Sequence, residues 1–231
     1  MGRSDAVAAG RRRSVADVAS RERSTAIEWE GQYVIGSFFV LMWPWGHLAV
    51  GYLLYTAFVR VRTGRPPSGP TALLVAFGTQ FPDLVDKPLA WWLGVLPHGR
   101  TGAHSLLTVM IVVTVVHALA RRRDATDLAI AFSFGYATHP FADALLALVQ
   151  GHTEYVAYLL WPLLELPRYE TSAIVLASAG ELELTVYAVA QLGLALVAFA
   201  VWVQDGNPGL DTLRRSLGIG DERDRDPGLD R

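Results

Sequence analysis

The sequence predicts an all-α fold, a polytopic transmembrane helical bundle of about five spans with some short or broken helices. Three observations lead there. Of 231 residues, 52% are apolar and only 18% charged, with a mean hydropathy of +0.28, whereas soluble domains carry about a quarter charged residues. The charge is gathered in residues 1–30, 60–65, 121–127 and 205–231, which leaves long stretches almost free of it. Arginines close several of those stretches, as they do at the cytoplasmic ends of spans. The same facts exclude an ordinary soluble globule and a disordered chain. A net charge of −2 gives no global basic field and so no nucleic-acid partner. The chain has no cysteine, which excludes disulfides, thiolate zinc sites and cysteine nucleophiles. Lys87 is its single lysine.

Residues 1–41 begin with an Arg-, Ala- and Ser-rich polar segment without apolar period, expected to be disordered, followed by an apolar lead-in. Met42-Trp43-Pro44 is an alternative start. Residues 33–46 and LAVGYLLYTAFV (48–59) make a first span, ended by Arg60, Arg62 and Arg65 and the loop PPSGP. TALLVAFGTQFP (71–82) is short against the roughly 20 residues a crossing needs, so it is expected to span partly or to join 89–96 as a broken helix. SLLTVMIVVTVVHALA (105–120) ends at Arg121, Arg122 and Arg123, and 128–149 follows as the next span. YVAYLLWPLLEL (155–166) holds Pro162 and reads as an interfacial or re-entrant piece. Residues 184–203 carry no charge and form the cleanest span; 205–231 read as a flexible polar tail. The organisation is therefore an extension (1–41), a membrane domain (42–204) and a tail (205–231).

Orientation follows from arginine alone. With the loops at 60–65 and 121–123 inside, His47, Asp83, Asp86, His104 and the later half of 128–149 all fall toward the outer leaflet. His139 and Asp143 lie four residues apart, one turn along one helical face. An Asp at mid-span costs about 2.5–3.5 kcal/mol, which a bound cation would offset; a hydrogen bond that merely packs helices is the plainer reading. Asp83 and Asp86 stand at the end of an apolar run, where carboxylates bind a cation or terminate a helix. His104 opens its span beside Ser105, and His47 precedes its own. Arg100, in the loop before His104, can pair with an anionic group through its planar fork or anchor a headgroup. His98 and His152 read as solvated loop residues, and Glu165 as a weak candidate base. Glu181 and Glu183 read as solvated or interfacial. His117 lies about 20 Å along the helix from His104 and is left out. Imidazoles and carboxylates from four separate segments suit Zn²⁺, with Mn²⁺ or Fe²⁺ as alternatives.

The motifs GHLAVGY, PDLVDK, RTGAHS and GYATHPFAD, in that order, resemble the YdjM-like family of predicted membrane-bound metal-dependent hydrolases over about residues 42–165. That family is thought to be distantly similar to zinc-dependent phospholipase C and the zinc single-strand nucleases. The resemblance implies His47, Asp83, His104, His139 and Asp143 as metal ligands, with one or two ions. Two departures stand out: Ala103 where the family often has Thr, and no clear counterpart to the later His, His and Glu ligands of the soluble enzymes. The expected function is a hydrolase of the inner membrane with its site toward the extracytoplasmic side, acting on a phosphate ester of a lipid or lipid-linked substrate. Asp86 is expected as base or support for the ligands, and Arg100 as the contact to substrate charge. The competing expectation is a non-enzymatic metal-binding protein or a transporter.

Overall fold

A computed structural model describes residues 42–149, 151, 153–166 and 186–218. Residues 1–41, His152, Glu181, Glu183 and the end of the tail lie outside the described residues. Every regular element among them is helical: α1 (Pro44–Thr63), α2 (Gly69–Trp91), α3 (Leu106–Arg121), α4 (Thr126–Val149), a 3-10 helix (Thr153–Leu160), α5 (Val186–Gln204) and α6 (Leu210–Ser216).

Local chemistry sets the ends. Pro44 starts α1, where its missing N–H costs no helix bond, and Gly64, at φ 68°, closes it with a left-handed cap. Ser68 caps α2 by accepting from the Thr71 N–H, and Ser105 caps α3 by accepting from Leu107. α2 runs unbroken to Trp91 through Pro82 and Pro88, so the expected break between 82 and 89 is absent. Each proline removes one ladder bond and crowds the carbonyl four residues back, yet the helix continues past both.

The α2–α4 pairing is the most extensive; α1 packs on α2, α4 and α5, α3 on α4, and α6 on α2. A Cβ on Gly78 would stand 2.4 Å from the Phe132 carbonyl oxygen, and one on Gly135 2.3 Å from that of Val75. The two helices therefore touch through main chain. Flanking this crossing, Tyr55, Val75 and Ala131 form one apolar cluster and Val109, Phe132 and Tyr136 another.

Burial is inverted relative to a soluble domain. His47, Thr79, Asp86, His104, His139, Asp143 and Gln191 are buried, while Leu54, Phe77, Met110, Ile111, Phe141, Leu145, Leu196 and Phe199 are exposed. Among the described residues, no helix is long and apolar enough to cross a membrane. α3 has 16 residues, and α1, α2 and α4 carry ionisable groups along their length. The described part of the expected 184–203 stretch starts at Val186. The all-α bundle is thus observed, and its expected crossings are not carried by single apolar spans. Residues 155–166 contribute the 3-10 helix, whose Tyr158 hydroxyl donates to the Pro140 carbonyl at 2.8 Å.

Candidate metal centre

The first turn of α1, the C-terminal halves of α2 and α4, and the loop before α3 meet at one end of the bundle. They bring together His47, Asp83, Asp86, His104, His139 and Asp143, the residues the motifs singled out. The arginine-bearing ends of α1 and α3 lie at the other end, with His117, which bonds the Val113 carbonyl at 2.9 Å.

Two histidines have their tautomers fixed by neighbours that only accept. His104 Nδ1 lies 2.8 Å from Asp86 Oδ2, and His139 Nδ1 lies 2.6 Å from the Thr79 carbonyl oxygen. Both Nδ1 atoms therefore carry the proton, and in the neutral rings both Nε2 atoms present a lone pair. Yet these Nε2 atoms face each other at 3.1 Å. Asp83 Oδ1 lies 3.6 Å from the first and 3.7 Å from the second. Asp143 Oδ2 is 3.9 Å from His139 Nε2, and its Oδ1 is 3.5 Å from His47 Nε2. The His47 and His139 rings stack at 3.6 Å between centroids.

Acceptors packed this closely repel unless something positive lies among them. A shared proton serves one pair of atoms and leaves the other acceptors unanswered. Asp143 Oδ1 is buried without a hydrogen-bond partner among the described residues. Ligands about 2.0–2.1 Å from a tetrahedral zinc stand about 3.3 Å from each other, near the spacing seen here. Two donor triplets, His47–His139–Asp143 and Asp83–His104–His139, each lie within 4.8 Å. They share His139, whose Nδ1 is already committed, so they are halves of one cluster that can hold a divalent cation.

The family model for the YdjM inner membrane protein matches residues 42–206. The chain belongs to the YdjM family. No curated protein and no solved structure gives a match.

The shell around the YdjM cluster is largely protein. Asp86 is fully buried, and its oxygens accept from the N–H groups of Thr101 (2.8 Å), Ala103 (2.7 Å) and His104 (3.3 Å) besides the imidazole. A carboxylate so occupied fixes a ligand's orientation, as outer partners of metal-bound imidazoles do. Ala103 contributes through its backbone alone: its N–H bonds Asp86 and its carbonyl accepts from the Tyr136 hydroxyl at 2.7 Å. A threonine side chain is not needed for that support.

Each candidate ligand carboxylate also pairs with a cation. Lys87 Nζ is 2.6 Å from Asp83 Oδ2, and Arg100 Nε is 3.1 Å from Asp143 Oδ2. The sequence reading missed Lys87 and the Thr79 carbonyl. For Lys87 the i,i+4 spacing from Asp83 was a usable signal; a main-chain oxygen has none. His98 is half-buried in the loop, its Nδ1 accepting from the Arg100 N–H. Burial first, then the Arg100 charge, push its pKa down to about 4, so it is neutral at pH 7. It is not part of the cluster, and neither is the exposed Glu165.

Proposed function

We propose that this YdjM chain is a multi-pass inner-membrane, metal-dependent hydrolase of phosphate esters, with a lipid or lipid-linked substrate and its site toward the extracytoplasmic side. The observation that carries the metal is the pair of Nε2 lone pairs facing each other at 3.1 Å while both Nδ1 atoms are committed elsewhere. The bilayer is supported by the family and by apolar side chains on the outer faces with polar ones within, the reverse of what water selects. The orientation is supported by arginines at the end opposite the cluster.

His47, Asp83, His104, His139 and Asp143 would hold the ion; all-nitrogen-and-oxygen ligands favour zinc, with manganese or iron as alternatives. A bound divalent cation supplies Lewis acidity and acidifies water. The chain does the rest. Asp86 keeps the His104 proton on Nδ1, and the Thr79 carbonyl keeps that of His139, so both rings offer Nε2 inward. Arg100 holds Asp143 in its inward pose. Arg100 also places fixed positive charge at the rim, where a phosphoryl oxygen would be met. Its bond to Asp143 makes it a positioning group as well as a substrate contact. Of the two roles expected for Asp86, orientation suits its four bonds better than proton abstraction.

A transport pathway is less well supported, because Tyr55, Val75 and Ala131 close the interior between the cluster and the arginine end with apolar packing. The test is metal analysis of purified full-length protein, wild type against His139→Ala, with hydrolysis of a phosphomonoester and a phosphodiester. Stoichiometric metal lost in the variant together with turnover supports the reading. Near-zero metal in both refutes it, and metal without turnover on either ester leaves a non-enzymatic metal protein.

A further inference from the structure

Four of the five cluster ligands are sealed: His47, His104, His139 and Asp143 are no more than 2% exposed. Asp83 differs, with 12% of its side chain accessible. It also lines a groove of about 260 Å³ on the side of α2, shared with Gln80, Leu84, Lys87, Trp91 and Trp92. Its two oxygens face opposite ways: Oδ1 toward His104 and His139, Oδ2 toward Lys87. The groove and the cluster thus meet through a single carboxylate.

The groove's polar content is small and placed. Gln80 Nε2 is committed to the Pro44 carbonyl and the Thr79 hydroxyl. The Lys87 ammonium has three donors; one goes to Asp83, and it makes no other hydrogen bond among the described residues. It sits 5.8 Å from the Trp91 ring centre, within cation–π reach. The walls are apolar and open, with Leu84 57% and Trp92 81% exposed. A Cβ on Gly99 would be 3.2 Å from Lys87 Cγ, so the loop bearing Arg100 lies directly against Lys87. The groove itself thus carries one cation, Lys87, next to the cluster's one accessible carboxylate.

We propose that this groove is the access site for a phosphate-headed amphiphile, with Lys87 as a headgroup contact and Leu84 and Trp92 against its chain. The proposal rests on the preceding reading for the position of the metal. An ammonium with spare donors meets phosphate as a point charge. A lysine beside a cluster that can hold a divalent cation suits a phosphate head, and exposed tryptophan beside apolar wall suits an interfacial chain.

Equilibrium binding to the full chain in an uncharged detergent is measured with n-dodecyl phosphate, inorganic phosphate and dodecanol, alongside metal content. Dodecyl phosphate is expected to bind wild type and to weaken about tenfold or more in Lys87→Met at unchanged metal content. Lys87→Arg is expected to restore binding to within about threefold, and Trp92→Ala, at an exposed position that folding does not need, to weaken dodecyl phosphate but not inorganic phosphate. Equal affinity of wild type and Lys87→Met overturns the proposal. So does loss of metal in Lys87→Met, which would make the lysine a brace for Asp83. Dodecanol or inorganic phosphate bound as tightly as dodecyl phosphate removes the charged head or the chain from it. Metal content of His139→Ala reports on the metal reading separately, so the two can fail independently.

Discussion

Replacing Asp86 with asparagine changes one atom and tests what the carboxylate does. Oδ2 accepts three N–H groups, including His104 Nδ1, and Oδ1 accepts the Ala103 N–H at 2.7 Å. In Asp86→Asn the new amide would keep its carbonyl on the crowded side and turn its NH₂ toward Ala103, since the reverse sets a donor against three donors. The Ala103 N–H is then buried opposite another donor, a loss of about 1–3 kcal/mol. For a chain of this size that is about 2–4 °C in melting temperature per kcal/mol. His104 keeps its tautomer but loses a charged partner, so metal affinity is expected to fall about 10–100-fold. Competition with a chromogenic chelator gives the affinity, and thermal unfolding in detergent the stability. A variant with wild-type metal affinity and stability but no turnover would refute the orienting role and make Asp86 the base.

Three further outcomes follow from the structure. Gly135→Ala sets a Cβ 2.3 Å from the Val75 carbonyl oxygen; it is expected to cost at least the about 1–3 kcal/mol of core overpacking and to weaken metal binding with it, as read by thermal unfolding and chelator competition. At the arginine end, Asp205 accepts from Tyr52 (2.6 Å), Thr56 (2.8 Å) and Arg60; burial works to raise its pKa, but these bonds outweigh it and hold the pKa below the ordinary value. Its contribution is therefore complete above the unfolded carboxylate pKa of about 3.9 and lost as pH falls through the lower folded value, so the melting-temperature gap between wild type and Asp205→Asn should close in acid and stay constant from about pH 5 to 7. The absence of cysteine gives single-cysteine labelling a clean background: in intact cells an impermeant maleimide should label Val95→Cys and spare Arg65→Cys, and the opposite pattern would reverse the proposed orientation.

Much of the cluster was legible because helical spacing is a local property. His139 and Asp143 share a face by their four-residue interval, and arginine placement sorted the helix ends without reference to the site. The pairing of Arg100 with Asp143 was not legible, since it depends on how the loop at 92–105 folds back over α4. Nor was the Thr79 carbonyl, which becomes a partner of His139 only because α2 and α4 cross at Gly78 and Gly135. α2 was read as a short run because Asp83, Asp86 and Lys87 interrupt its apolar pattern; they do so on a helix that continues, with Asp86 turned inward and buried. The exposed apolar faces were implied by composition, but which side chains they hold follows from packing alone.

The main-chain contact between Gly78 and Gly135 has a consequence for how the chain can vary. The calibre of the ligand cage is set by two backbones at rest against each other, so side chains on the far surfaces of α2 and α4 can be exchanged without shifting Asp83 relative to His139. Adaptation to a different surrounding fluid and the spacing of the candidate ligands are thereby decoupled, and drift in Phe77, Leu84, Phe141 or Leu145 can proceed while the cluster keeps its dimensions.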